Sequence, residues 1–269
     1  MSQQRIISIV NQKGGVGKTT TTINLGAALA EIGQRVLIVD LDPQGNASTG
    51  LGIGTDQRDV TTYDLILGDT VPGEAIVETE FPHLYVVPAT TDLSSADIQL
   101  ISNEKRSYLL RDALRQLDMS AFDFDYILID CPPSLNILTV NALVASDAVL
   151  VPLQSEFFAL EGLSQLMLTI REVRQVANPA LRIAGVVLTM YDKRNNLSQQ
   201  VEMDARENLG DLVFDTLIPR NVRLSEAPSF AMPVLAYDPA SAGSKAYRDL
   251  GAELMMKDAQ LFGGTGHGQ

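Results

Sequence analysis

The sequence contains no tryptophan, two histidines and a single cysteine. One thiol, Cys131, excludes an internal disulfide and any four-thiolate metal site within one chain. No histidine lies near it in sequence, so Cys131 reads as a small buried packer rather than a nucleophile. His83 and His267 are isolated, and neither carries a role. No apolar run approaches the ~20 residues of a membrane-crossing helix. The opening MSQQRIISIV runs straight into a strand pattern and lacks the shape of a signal peptide. What is present is ordinary globular material: 269 residues, 45% hydrophobic and 20% charged, enough for one large domain with a substantial core. A soluble cytoplasmic protein is expected.

Positive charge is scarce too. The net charge is −13, which for the chain as a whole argues against a nucleic-acid partner. Its distribution is uneven. Residues 1–170 hold 9 Lys and Arg against 21 Asp and Glu, and residues 171–269 hold 11 against 12. The last third is therefore nearly neutral and has room for a local basic patch.

Short apolar runs alternate with helical patterns, the mark of βαβ units on a parallel sheet. Strands are expected at Arg5–Asn11, Arg35–Asp42, Leu84–Pro88, Tyr126–Cys131, Ala148–Gln154, Ile183–Met190 and Val213–Pro219. Several of them (ISIV, VLIV, YILI) are apolar without alternation, as strands buried on both faces are. Helices fit Thr19–Ile32, Lys105–Leu117, Leu138–Ala145, Leu160–Val176, Leu197–Leu209 and Ser244–Met255. The stretch Thr55–Glu80 reads as loop with short helices. Phe157, Phe158, Leu160, Leu163, Leu166, Met167 and Ile170 have the spacing of a core-facing helix. No repeat or linker divides the chain, so one α/β domain over residues 1–258 and a flexible tail over 259–269 are expected.

Residues 11–25, NQKGGVGKTTTTINL, follow the first strand and open the first helix, the setting that makes a phosphate-binding loop credible. Gly14, Gly15 and Gly17 let the backbone curl so that successive N–H groups face phosphate oxygens, and Val16 and Thr20 belong to the same wrap. The helix N-terminus adds its dipole. Lys18 neutralises phosphate charge, and the Thr19 hydroxyl is placed to ligate Mg²⁺. The standard pattern has glycine where this chain has Gln12, and the loop carries a second lysine, Lys13, that phosphate binding by one subunit does not need.

Two acidic sites stand at the C-terminal ends of strands, where open α/β sheets bind ligands. Asp130 ends YILID and is placed to hold the metal through a water. Asp40 and Asp42, in VLIVDLDPQGNAS, share one side of the chain by period-two alternation. Asp42, further out, is the candidate for orienting an attacking water, and Asp40 for support on the magnesium side.

KGGVGKT, DLDPQGNAS, DCPPS, EFFALEGLSQL, TMYD and IPRNVRLSEAPSF, in that order between about residues 5 and 255, resemble the ParA (Soj-type) ATPases that segregate chromosomes and plasmids. These belong to the deviant Walker A class, with MinD and the nitrogenase iron protein. The resemblance implies a single P-loop NTPase domain, with a mostly parallel twisted sheet flanked by helices on both faces. It implies ATP and Mg²⁺ as cofactors, and catalytic roles for Lys13, Lys18, Asp42 and Asp130. It assigns Lys13 the task of reaching across an ATP-dependent homodimer to the partner's phosphates, and it makes Pro219 and Asn221, with Met190 nearby, the adenine contacts.

The same resemblance implies non-specific double-stranded DNA as a partner, with residues matching Arg194 and Arg223 implicated. Lys193 and Arg220 sit in similar loops, and Lys245 and Arg248 on the last helix are weaker candidates. Aromatic residues are missing among these bases, which fits contact with the DNA backbone alone. A ParB-like centromere-binding partner, slow intrinsic hydrolysis and association with the nucleoid complete the expectation. The alternatives are a ParA-like positioner of another cargo, such as a chemoreceptor cluster or carboxysome, and a MinD-like membrane regulator. GAELMMKDAQLFGGTGHGQ makes a poor membrane anchor, and one cysteine cannot match an iron–sulfur reductase. The first strand begins by about Arg5, which leaves no room for an N-terminal operator-binding domain.

Overall fold

The structure, a computed structural model, describes residues 4–100, 103–117, 123–156 and 159–262. Among them the strands are β1 (Arg5–Ile9), β2 (Val36–Asp40), β3 (Val77–Glu78), β4 (Leu84–Val87), β5 (Tyr126–Asp130), β6 (Ala148–Gln154) and β7 (Arg182–Thr189). They form one sheet in the order β3-β4-β2-β5-β1-β6-β7, parallel throughout except for β3 against β4. The helices are α1 (Lys18–Glu31), α2 (Asn46–Gly50), α3 (Thr62–Leu67), α4 (Ala96–Gln99), α5 (Leu109–Leu117) and α6 (Ile137–Ala145) in the first half. After them come α7 (Ala159–Val176), α8 (Asn196–Leu209), α9 (Val222–Glu226), α10 (Val234–Tyr237) and α11 (Ala242–Phe262).

Successive strand side chains point to opposite faces, and here both faces are dry. Ile7, Ile9, Ile38 and Leu128 pack with Leu25 and Leu29 of α1 and Leu250 and Leu254 of α11. Leu37, Val39, Ile127 and Ile129 pack on the other side with Leu114 of α5, Leu143 of α6 and Leu166 and Ile170 of α7. Two covered faces explain why these strands carry no polar alternation. Helix α1 is buried from Thr21 to Ala30 and lies between the sheet and α11. Gly251 of α11 permits the close approach: a Cβ there would stand 3.3 Å from the Cβ of Ala28.

Parallel register sets Asp130 beside Ile9 of β1 and Asp40 of β2. The segments that leave β1, β2 and β5 therefore emerge together at the carboxyl edge of the sheet, where such folds bind ligands.

The structure departs from expectation in four places. Val213–Pro219 forms no strand: its pairing with the neighbouring segment is broken into isolated bridges, Val186–Val213 and Tyr191–Pro219. Between them the Glu253 carboxylate of α11 accepts the N–H groups of Asp215 (2.7 Å) and Thr216 (2.9 Å), diverting them from sheet pairing. Thr55–Glu80 contains not only short helices but also the edge strand β3. Helix α5 begins at Leu109 rather than Lys105, because Asn103 captures the Lys105 N–H in a turn (2.8 Å). The last helix runs to Phe262, past Met255 and into the stretch expected to be flexible from residue 259. Arg5 holds it there, pairing with Asp258 at 3.2 Å and lying 4.0 Å above the Phe262 ring. Residues 263–269, Phe157 and Phe158 lie outside the described residues. Among the described residues no helix is long and apolar enough to cross a membrane.

Candidate functional site

The loop between β1 and α1 bends through Gly15 (φ 74°) and Gly17 (φ 88°), a left-handed region where a side chain would be strained. Two tethers fix it. Asn11 accepts the Lys13 N–H (3.0 Å) while its amide donates to Pro152 C=O (2.7 Å). The Thr189 hydroxyl donates to the carbonyl of buried Val16 (2.8 Å), tying the end of β7 to the loop. Gln12, where the standard loop has glycine, buries its amide nitrogen without a hydrogen-bond partner among the described residues.

The two lysines point to different places. Lys18 is folded inward and buried, donating to the Lys13 carbonyl at 3.0 Å. Burial lowers its pKa against the attraction of Asp130, Cys131 and Asp42. Lys13 faces outward, its side chain 47% exposed, and its ammonium grips Glu156 at 2.8 Å. Glu156 in turn accepts from the Gln154 amide.

Asp130 is wholly buried at the end of β5. Its two oxygens accept from the hydroxyls of Thr19 (2.7 Å) and Thr22 (3.1 Å), on one face of α1. Burial, with the Asp40 charge behind it, pushes its carboxyl well above the usual range, and the two hydroxyls oppose that rise. A hydroxyl and a carboxylate already in contact are the hard oxygen donors that magnesium prefers. Among the described residues no group of three His, Cys, Asp or Glu side chains could hold a metal by itself.

Asp42 follows the end of β2 and is nearly buried; its Oδ1 accepts the Gln44 N–H at 3.0 Å. Asp40 is fully buried. Its Oδ2 accepts both the Ser48 hydroxyl (2.6 Å) and the Ser48 N–H (2.8 Å), and its Oδ1 accepts the Asp42 N–H (3.2 Å). Beside Gly17 and Thr20 a cavity of about 410 Å³ opens, walled by Thr189, Met190, Ile218, Pro219, Asn221, Leu224 and Tyr247 among others. Met190 takes a left-handed backbone (φ 52°) on that wall. Asn221 caps α9, accepting the Arg223 N–H at 2.8 Å.

The bases expected to meet DNA are placed variously. Lys193 and Arg194 lie in the turn after β7, where Arg194 pairs with Asp192 (3.1 Å) and remains highly exposed. Arg220 lines the cavity. Arg223 sits between Glu226 (2.7 Å) and Asp238 (3.2 Å). On α11 Lys245 is exposed, while Arg248 holds Glu31 of α1 (2.6 Å) and the Pro239 carbonyl (2.7 Å). Arg248 is thus engaged as a brace between two helices.

Sequence reasoning did not single out Thr22, Glu156, Ser48, Thr189 and Tyr247, which border these groups. Thr22 was within reach, since it stands three residues after Thr19 and shares its helix face. So was Glu156, at the carboxyl end of a buried strand by the rule that found Asp130. The others act through tertiary contacts that no local pattern announces.

Comparison with known proteins agrees with this geometry. A family model for an AAA domain matches residues 4–183. The chain is 59% identical to the chromosome partitioning protein ParA of Caulobacter vibrioides, over 94% of this chain and 95% of that one. It is 51% identical to the sporulation initiation inhibitor protein Soj of Bacillus subtilis, over 93% and 98%. Among solved structures it superimposes on cobyrinic acid a,c-diamide synthase from Mycobacterium smegmatis with bound ADP and magnesium. That likeness has a TM-score of 0.83 and 39% identity, covering 97% of each chain. A loop that cradles phosphates, a threonine–aspartate pair suited to magnesium and these relatives agree: the chain belongs to the ParA/Soj family of P-loop partitioning ATPases, which use MgATP.

Proposed function

We propose that this ATPase is a nucleotide-controlled switch that rides on DNA. ATP binding joins two copies face to face, with Lys13 of each reaching the phosphates held by the other. The joined pair binds double-stranded DNA without sequence preference through Lys193, Arg194, Arg220 and Arg223, with Lys245 a lesser contributor. Met190, Pro219 and Asn221 hold the adenine, and Gly14 through Thr20 hold the phosphates. Thr19 and Asp130 would hold magnesium, which would supply positive charge to the phosphates. Asp42 orients the attacking water, and Lys18 and Lys13 offset the charge that develops on the phosphates. Hydrolysis is slow until a ParB-like partner stimulates it, and phosphate loss then separates the copies and frees the DNA.

One observation carries this reading. Of two lysines on one loop, Lys18 is buried with its ammonium on the Lys13 carbonyl, while the Lys13 side chain is about half exposed beside Glu156. A lysine held at the mouth of the loop is placed for charge that a second subunit brings.

The test is binding to a random-sequence DNA fragment with MgATP, with MgADP and without nucleotide, across a salt series. Binding with ATP alone, weakening steeply as salt rises because counterions are released, is the expected result. No binding under any condition would replace DNA with another surface and make the protein a positioner of a different cargo.

A further inference from the structure

Asp42 stands on a turn, and a turn alone cannot hold a carboxylate still enough to orient water. The residues behind it form a closed web. Ser48 donates its hydroxyl and its N–H to Asp40, and its Oγ accepts the Ala89 N–H at 3.0 Å. Asp40 accepts the Asp42 N–H, while its backbone carbonyl accepts the Thr62 hydroxyl at 2.7 Å.

Across the same turn lies Arg58, the only basic residue between Thr55 and Glu80 and nearly buried. Its guanidinium donates to the carbonyls of Ile53 (2.7 Å) and Ala89 (2.8 Å) and to the Thr49 hydroxyl (2.8 Å). Thr49 donates onward to the Gly45 carbonyl at 3.0 Å, and the Gly45 N–H returns to the Asp42 carbonyl at 2.9 Å. Gly45 fits the turn because it lies flat against the arginine. With φ 61°, a Cβ there would fall 2.2 Å from Nη1 and 2.8 Å from the Ala89 oxygen. Burial lowers the Arg58 pKa, and the charge of Asp40 opposes that fall. Three donors engage both oxygens of the Asp40 carboxylate.

We infer that Ser48 and Arg58 are positioning residues for ATP hydrolysis, fixing Asp42 through Asp40 and the turn at Gly45, and that Asp40 is the hub of this brace rather than a magnesium-side group. The inference rests on the reading of Asp42 as the water-orienting carboxylate. Neither Ser48 nor Arg58 touches the reacting atoms, so their loss moves Asp42 without opening the nucleotide pocket. A displacement of ~1 Å at a catalytic group costs up to about a hundredfold in rate.

Steady-state ATP hydrolysis, with kcat and KM determined separately, tests this in Ser48→Ala, Arg58→Met, Arg58→Lys and Asp42→Ala. Ser48→Ala and Arg58→Met are expected to lower kcat about tenfold while KM for ATP stays within about twofold, the pattern of an interaction realised in the transition state. Arg58→Lys keeps the charge but loses the planar fork and recovers only part of the rate. Unchanged kcat in Ser48→Ala and Arg58→Met, or a KM that rises in step with the fall in kcat, overturns the brace. Should Arg58→Met fail to fold, Ser48→Ala, which removes one oxygen, decides alone. Turnover by Asp42→Ala at the wild-type rate sinks both the Asp42 reading and the brace. A dead Asp42→Ala beside a fully active Ser48→Ala sinks the brace only.

Discussion

Replacing Asp130 by asparagine separates what the site costs from what it does. The carboxyl lies at 0% exposure and its pKa is pushed from 3.8 to about 8. In the unfolded chain at pH 7.5 it is ionised, so folding works against that charge. At ~1.4 kcal/mol per unit the gap between 3.8 and 7.5 bounds the cost at roughly 5 kcal/mol. Part of this comes from Asp40, which the substitution leaves in place, and part is recovered by hydrogen bonds. The amide can accept the Thr19 hydroxyl through its oxygen and donate to Thr22 through its nitrogen. Thr22 then donates to the Lys18 carbonyl, already 3.0 Å away, and only the second N–H of the new amide lacks a partner there.

We expect Asp130→Asn to stabilise the nucleotide-free protein by about 2 kcal/mol, raising Tm by roughly 4–8 °C at this chain length. It should also remove the extra protection that magnesium adds to ATP. The sign with pH follows from the raised folded pKa. The wild-type site is most favourable below pH 3.8 and loses stability as pH rises toward about 8. The Tm gap between variant and wild type should therefore widen from pH 6 to pH 8.5 and then level off. Thermal melts across that range, with no ligand, with ATP alone and with MgATP, test all of this. A variant that melts below wild type without ligand, or that keeps the magnesium-dependent rise, refutes the reasoning.

Lys18→Ala removes the cation buried at the loop and should abolish nucleotide binding by calorimetry; undiminished ATP affinity would refute the loop assignment. Arg223→Glu places a third carboxylate beside Glu226 and Asp238. It should leave ATP-driven self-association intact while reducing the logarithmic salt slope of DNA binding by roughly one, and an unchanged slope returns Arg223 to an ordinary surface charge. Glu31→Gln breaks the pair with Arg248, whose partners are about one-third exposed, so the loss should stay below about 1 kcal/mol. The bond to Arg248 holds the Glu31 pKa below its usual value. Its contribution is present above pH 4.5 and fades as pH falls further, so the Tm difference should close in acid.

The sequence announced most of this fold because its signals are local. Buried parallel strands read as unbroken apolar runs, and GGVGKT between a strand and a helix fixed the place of the phosphate loop. Asp130 and Asp42 were singled out by position, at strand ends. What stayed hidden depends on distant partners. Val213–Pro219 has the composition of a strand, yet Glu253, some forty residues later, takes its N–H groups. The spacing of Asp40 and Asp42 is local, yet the hydrogen bonds of Asp40 come from Ser48, eight residues on, as well as from Asp42. Phe262 stands near the end of a tail-like stretch, yet Arg5 at the other end of the chain covers its ring. Helix length, strand failure and the direction of a carboxylate were each set by a residue outside any window that a pattern could span.

The broken segment after α8 also decides how copies of this protein can meet. An open outer strand offers a row of unpaired N–H and C=O groups to any other chain, and amyloid-like stacking grows from such borders. Here the chain folds its own length along β7, taking the Val186 and Leu188 carbonyls with Phe214 and Ile218. It stops short of becoming an eighth strand that would expose a fresh border. The opposite border is only two residues long and ends in Glu78, too short and too charged to template another copy. With both borders blunted, neither edge of the sheet presents a long row of unpaired backbone groups for strand pairing between copies.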